Sequence, residues 1–178
     1  MNNYYKSKRT KIIGPCIFLI LVVIIGFSAK FYFDTYISAI SLSGNSMLPT
    51  ISDGSFAYIN KSPIKIPELK YDDIIAFEAI VDEEPIVFLK RVIGVPGDTI
   101  KIENGKLFRN DELVHEPYLL EQEWGLETDL EVTLLEHEVF AMGDNRNRST
   151  DSRDIGPVDL NTQYLGLYVE NIPSWLIQ

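Results

Sequence analysis

Ser46, Lys90 and the polar run from Ala141 to Pro157 are where reactive side chains concentrate in this chain of 178 residues. Ser46 sits in Ser43-Gly44-Asn45-Ser46-Met47-Leu48-Pro49-Thr50, after a short apolar stretch. Gly44 permits a tight backbone and Pro49 fixes the exit, so such a turn can aim a hydroxyl and its own N–H at one carbonyl. A serine in a Gly-Asn turn can equally be structural. As a nucleophile it would need a base, and histidine is the usual one. The chain has two histidines. His115 stands before Glu116-Pro117, and His137 lies between Glu136 and Glu138, both ordinary turn or surface settings. The other candidate base is a lysine, which works only when part of its population is neutral. Apolar burial disfavours the ammonium and provides that. Lys90 lies in Ile86-Val87-Phe88-Leu89-Lys90-Arg91-Val92-Ile93, between apolar neighbours. The same segment is consistent with a solvent-facing strand lysine.

The third segment, Ala141 to Pro157, has no hydrophobic period. Its charges and short hydroxyl side chains can tie a loop into a hydrogen-bond network. A solvated hairpin loop has the same composition. Asn147-Arg148-Ser149 also matches a glycosylation sequon, a weak signal at three residues.

The elements that must position these residues read as strands. Tyr36 to Leu42 alternates loosely, with Ile40 and Leu42 on one face. Ser55–Ile59, Asp73–Phe77, Ile86–Ile93, Thr99–Ile102, Leu107–Arg109, Val132–Leu134, Val139–Met142 and Tyr164–Val169 follow as strands. Asp82-Glu83-Glu84-Pro85 predicts a hairpin connection, Asn104-Gly105 a tight hairpin turn, and Asn110-Asp111 another turn. Pro63 to Pro67 reads as a loop, and residues 116–130 as acidic and irregular. Helical periodicity is scarce, with Asp159 to Leu165 the one candidate stretch. The expected fold is a mainly β, antiparallel domain.

Ahead of it stands a different kind of sequence. Residues 1–11 carry Lys6, Lys8, Arg9 and Lys11 and no acid. Residues 12–29, IIGPCIFLILVVIIGFSA, carry no charge. As a helix they would span about 27 Å, close to the hydrocarbon thickness of a bilayer. Pro15 is expected in the first turns, where a missing N–H costs least. The division expected is therefore a basic tail over 1–11, a transmembrane helix over 12–29 and a β-rich domain over 30–178. The bases favour a cytoplasmic N-terminus with the domain outside. A cleaved signal peptide is the rival reading, with Phe27-Ser28-Ala29 a poor cleavage site. The tail 172–178 is too short to cross, though Trp175 and Leu176 could touch the interface.

The whole chain has 16 Lys+Arg against 26 Asp+Glu. Setting the four leading bases aside leaves about -14 on residues 30–178. That excludes a general nucleic-acid binder. One cysteine, Cys16, excludes a disulfide framework and a cysteine-rich zinc site, and two histidines argue against a histidine metal site.

Taken together, the motifs resemble those of a type I signal peptidase of the bacterial, Gram-positive kind. Ser46-Met47-Leu48-Pro49 resembles the nucleophile box, and Lys90 through Asp98 the general-base box. Asp73-Ile74-Ile75-Ala76-Phe77 resembles the preceding strand box, with Asp72-Asp73 where the family has Gly-Asp. Gly143-Asp144-Asn145, with Ser149, Asp151, Ser152, Arg153 and Gly156, resembles the C-terminal box. The boxes stand in family order, within residues 12–169. The resemblance implies a signal-peptidase-like antiparallel β domain that cleaves signal peptides from exported preproteins at sites with small P1 and P3 residues. It implies Ser46 as nucleophile, Lys90 as general base and Ser149 as the hydroxyl that orients the lysine. Asp151 and Arg153 would be a bracing ion pair, with Asp144 in the same support. Ile40, Leu42, Ile51 and Leu89 would line the apolar substrate pockets. Where some relatives have a serine, Gly44 offers no hydroxyl, so an oxyanion would rely on backbone N–H groups, foremost that of Ser46. No metal or organic cofactor is implied. The partners implied are preproteins, the lipid bilayer and a transient contact with the secretion translocon.

Other readings of the same chain are a self-cleaving repressor-type protease, a plain anchored β domain, and a specialised or non-enzymatic relative assisting pilus or surface-protein assembly. Retention of both Ser46 and Lys90 weighs against the last.

Overall fold

The computed structural model describes residues 2–62, 68–121 and 129–170, with the backbone alone for residues 2–13. The expected Pro63–Pro67 loop, part of the acidic 116–130 run, and Trp175 and Leu176 lie outside the described residues. The chain divides into two compact units, Met1–Ile37 and Ser38–Gln178.

The first unit is one helix, α1 (Asn2–Tyr36). Its Gly14–Tyr36 stretch has a mean hydropathy of 2.4 and is long and apolar enough to cross a membrane. Ile17 through Ile25 expose their side chains all round, as a lipid-facing helix must. The helix exceeds the expected 12–29 span at both ends. Downstream, Lys30 pairs with Asp34 at 2.9 Å, one turn along, and no breaker intervenes before the strand that follows. Upstream, the basic tail is helical, so Pro15 lies inside the helix rather than in its first turns.

The second unit is antiparallel β. Strands β1 (Ile37–Ser41), β2 (Phe56–Asn60), β3 (Ile74–Val81), β4 (Glu84–Gly94), β9 (Glu138–Met142), β10 (Val158–Asp159) and β11 (Tyr164–Tyr168) form a sheet in the order β1-β2-β11-β3-β4-β9-β10. Strands β5 (Thr99–Glu103), β6 (Lys106–Arg109), β7 (Glu112–Leu113) and β8 (Leu130–Thr133) form a smaller sheet, β7-β6-β5-β8. A four-residue helix, α2 (Ser152–Ile155), follows β9.

The two-residue period of a strand explains the cores. Along β3, Ile75, Phe77 and Ala79 join Val92, Val139 and Ala141 on one face. Ile74 and Ala76 join Met47, Ile51, Ile59 and Leu89 on the other. Along β9, Phe140 and Met142 turn instead to Ile93, Ile100, Ile102 and Leu107, which ties the small sheet to the large one. β3 is therefore buried on both faces, and β4 beside it holds its register through eight paired positions, Ile74↔Arg91 to Val81↔Glu84.

Tight turns set the hairpins. Asn104-Gly105 takes φ of 51° and 70°, and Asn110-Asp111 takes 54° and 66°, as the sequence predicts. The β3–β4 turn is tighter than predicted. It is Asp82-Glu83 alone, with φ of 52° and 67°, and Glu84-Pro85 belong to β4. The helical expectation over Asp159 to Leu165 is wrong. The segment is a turn between β10 and β11, and Leu160 and Tyr164 at its two ends pack against the core. Their spacing resembled a helical face by chance.

Candidate active site

β4 and the loop after β1 bring the two candidate residues together. Lys90 Nζ lies 2.7 Å from Ser46 Oγ. Lys90 is 3% exposed, so the solvent-facing reading of this strand does not hold. It shares a strand face with Phe88, whose ring centre is 5.3 Å from the amine. Burial lowers the Lys90 pKa to about 8. Among the charges, Asp151 and Asp144 work against that shift and Arg153 works with it. Desolvation outweighs the nearby carboxylates, which leaves a lysine with an appreciable neutral fraction near neutral pH.

The Ser46 loop is held from several sides. Gly44 has φ of 116°, a region that L side chains rarely enter, and its N–H donates to Asp53 Oδ1 at 2.7 Å. Ile51 N–H donates to Met47 O at 2.9 Å, closing the far side of the loop. Asn145 donates twice, from its backbone to Ser46 O and from Nδ2 to Asn45 O, each at 3.0 Å. Among the described residues the Ser46 N–H has no acceptor, so it is available to a ligand.

Gly143 lets this contact happen. A Cβ there would fall against Ser149 Oγ and lie 2.5 Å from Ser46 O. The glycine is required by close approach, because the loop after β9 passes directly under the Ser46 backbone.

Asp151 and Arg153 form the expected pair, with Nε–Oδ1 at 2.8 Å and Nη2–Oδ2 at 2.9 Å. Asp151 is fully buried and also accepts from Gly143 N–H at 3.0 Å. It caps α2, and Asp154 returns a bond to the Asp151 N–H. The Arg153 guanidinium also reaches Arg146 O at 2.8 Å. Asp144 is 1% exposed and is held bidentately by Arg91, through Nε at 2.8 Å and Nη2 at 2.6 Å. Thr50, from the Ser46 loop, donates to the same carboxylate.

Ser149 is a departure. Its Oγ donates to Thr150 O at 3.5 Å and makes no hydrogen bond to Lys90. Ser149 leans on the Gly143 backbone beside the dyad, and its hydroxyl satisfies the chain locally, as short hydroxyl side chains readily do.

A cleft of about 480 Å³ opens beside Ser46 and Lys90. Ile40, Leu42, Ile51 and Leu89, the four expected pocket residues, all line it. Met47, Ile86, Val87 and Phe88 line it as well and were not singled out from sequence. Met47 adjoins the serine, and the other three continue the apolar run before Lys90, so proximity along the chain was the signal for all of them. Arg91, Thr50, Glu116 and Arg146 were also missed. Arg91 stacks over Tyr118 at 4.2 Å, Tyr118 donates to Glu116 at 2.9 Å, and Glu116 accepts from Arg146 Nη1 at 2.9 Å. Arg146 Nε completes the circuit by donating to Gly143 O at 3.1 Å. Burial works against the Arg91 charge, yet the hydrogen bonds and charge of Asp144 hold its pKa above the usual guanidinium value.

The arrangement pairs a hydroxyl with a buried amine, beside an open backbone donor and an apolar cleft. Acyl transfer through a serine is the chemistry it supports. The chain is 35% identical over 150 residues to signal peptidase I of Bacillus licheniformis, covering 79% of this chain and 77% of that one. It is 31% identical over 178 residues to signal peptidase I of Bacillus amyloliquefaciens, covering 96% of this chain and 81% of that one. A solved signal peptidase I from Enterococcus faecalis V583 is 29% identical, with a TM-score of 0.48 over 59% of this chain and 98% of that chain. Residues 11–167 match the family described as signal peptidase, peptidase S26. By that match and those relatives, the chain belongs to the signal peptidase family, serine endopeptidases that remove signal peptides.

Proposed function

We propose that Ser46 and Lys90 perform this cleavage, with Ser46 as nucleophile and Lys90 as general base. The observation that carries the reading is the 2.7 Å contact between a serine hydroxyl and a buried lysine amine. Neutral Lys90 takes the proton from Ser46 Oγ as the oxygen attacks the scissile carbonyl. The oxyanion faces the Ser46 N–H, which no other group in the described structure uses. Protonated Lys90 then gives its proton to the departing amine, leaving an ester on Ser46. Water, deprotonated by the same lysine, hydrolyses the ester and frees the signal peptide.

The substrate is an extended segment seated as an added strand. β9 pairs with β4 only at Arg91 to Gly94, so β4 from Glu84 to Lys90 has no strand on that side among the described residues. An extended chain there presents alternate side chains to Ile40, Leu42, Ile51 and Leu89, which favours small apolar groups at P1 and P3. Asp144, Asp151 and Arg153 act through the loop that carries them, by fixing the backbone under Ser46. Ser149 packs against Gly143, in the same loop under Ser46.

The anchor is the apolar helix, with residues 1–11 in the cytoplasm and the β domain on the outer face. The four bases ahead of residue 12 support this orientation. Tethering enzyme and preprotein to one bilayer raises their effective concentration, and the preprotein emerges beside the translocon that delivers it. The test is incubation of detergent-solubilised protein with a preprotein bearing Ala-x-Ala before its mature start. Mass analysis should show one cut after the second Ala, absent in Ser46→Ala. A cut by Ser46→Ala at the wild-type rate would sink the assignment.

A further inference from the structure

The domain is strongly acidic, yet its substrate cleft is not. Of the residues lining that cleft, the charged ones are Lys90 and Arg148, both basic. Lys90 is buried and committed to Ser46. Arg148 is exposed, and among the described residues its side chain has no hydrogen bond or ion pair.

Its backbone, by contrast, is fixed. Arg148 ends the 3-10 turn Arg146–Arg148, and its N–H donates to Asn145 O at 3.0 Å. Every other residue of that turn is tied down. Asn145 holds the Ser46 loop, Arg146 is buried against Glu116, and Asn147 Nδ2 donates to Glu121. Arg146 is buried, and Arg148, two residues on and so on a different side of a three-residue turn, lines the cleft. A guanidinium on a rigid support that pairs with no acid among the described residues is an arrangement suited to an outside partner. A carboxylate is the group whose geometry a guanidinium matches best.

We propose that Arg148 is a specificity-determining residue that favours preproteins carrying an acidic side chain within two residues of the scissile bond. This rests on the reading of the Ser46–Lys90 cleft as the substrate site. Side chains at P1 and P3 enter the apolar part of the cleft. The residues between and beyond them face its rim, where Arg148 stands. An acidic side chain there gains a partner, and a lysine meets repulsion.

The experiment uses the full-length protein in detergent and one Ala-x-Ala preprotein. Asp, or its uncharged isostere Asn, is placed singly at P2, P1′ or P2′, and kcat/KM is measured for each pair. Expected is an Asp-over-Asn ratio of roughly three- to fivefold at one of these positions, the size of an exposed ion pair. The ratio should shrink with added salt. It should fall to one in Arg148→Gln, persist in Arg148→Lys and drop below one in Arg148→Glu. A ratio of one at all three positions in the wild type overturns the proposal, as does a preference that survives Arg148→Glu or ignores salt. Should Arg148→Gln fold poorly, the wild-type salt dependence and Arg148→Lys still decide. A wild type that cuts no member of the series overturns the cleft assignment and this proposal with it. A series that is cut with flat ratios overturns this proposal alone.

Discussion

Lys90 Nζ meets Ser46 Oγ at 2.7 Å although the two residues stand 44 positions apart, one on a central strand and one on a loop. The contact is made by a side chain 3% exposed, with its pKa lowered to about 8 by burial. A free lysine, near 10.4, would be almost wholly charged at neutral pH. The fold thus does to Lys90 what a histidine needs no help to do.

Cleavage should therefore rise with pH through about 8 and level off above it, because the neutral amine is the working form. Single-turnover cleavage of one preprotein between pH 6 and 10 gives the profile. Ser46→Ala and Lys90→Ala should abolish cleavage. Lys90→Arg should too, since a guanidinium keeps its protons. Wild-type turnover in Lys90→Arg would exclude the lysine as base.

Replacing the same lysine should stabilise the fold. Its folded pKa lies below the unfolded one, so between about 8 and 10.5 the unfolded chain binds more protons and stability rises with pH. Below pH 8 the folded state carries the full cost of a buried ammonium, at most about 3 kcal/mol. Lys90→Met should raise the melting temperature at pH 6, and less so at pH 10. Calorimetry at both values checks this. An equal change at both would show that burial of the charge is not what strains the site.

Much of this was legible in the sequence, for identifiable reasons. The unbroken apolar run Ile74 to Phe77 encodes a strand segment buried on both faces, and Asn104-Gly105 encodes the β5–β6 turn locally. Ser46 and Lys90 stood out through the order of short motifs. What escaped notice depends on contacts between distant segments. Arg91 and Asp144 are 53 residues apart, and nothing near either predicts the other. Glu116 opens a run that reads as acidic and irregular, yet it is 6% exposed and paired with Arg146. α1 runs on through Lys30 to Tyr36, past the uncharged stretch 12–29. A charge with a partner four residues on continues a helix instead of ending it.

Asp144→Asn should be costly. It takes the buried carboxylate from Arg91, leaving the half-exposed Asp72 at 3.0 Å as its remaining acidic partner, and takes the same charge from Thr50. Breaking one side of a buried pair costs about 3–5 kcal/mol. Urea denaturation should show a loss of that order. Because Thr50 belongs to the Ser46 loop, activity should fall at temperatures where the variant is still folded. A loss under 1 kcal/mol would mean that the pair is dispensable.

Gly143→Ala separates backbone placement from chemistry. The added methyl carbon would meet Ser149 Oγ and stand 2.5 Å from Ser46 O. Ser149 can turn aside, because its present bond to Thr150 O is a long 3.5 Å. The Ser46 carbonyl cannot move without carrying the nucleophile with it, and Asn145 pins that carbonyl from the other side. Overpacking of this kind costs about 1–3 kcal/mol. The variant should thus fold but cleave at least tenfold more slowly, with the loss in kcat, since the apolar cleft is untouched. Ser149→Ala, which removes the more yielding of the two neighbours, should cost less and should partly rescue Gly143→Ala in the double variant. Kinetics of the four proteins on one preprotein would show it. Full activity in Gly143→Ala would mean that the loop under Ser46 is free to move.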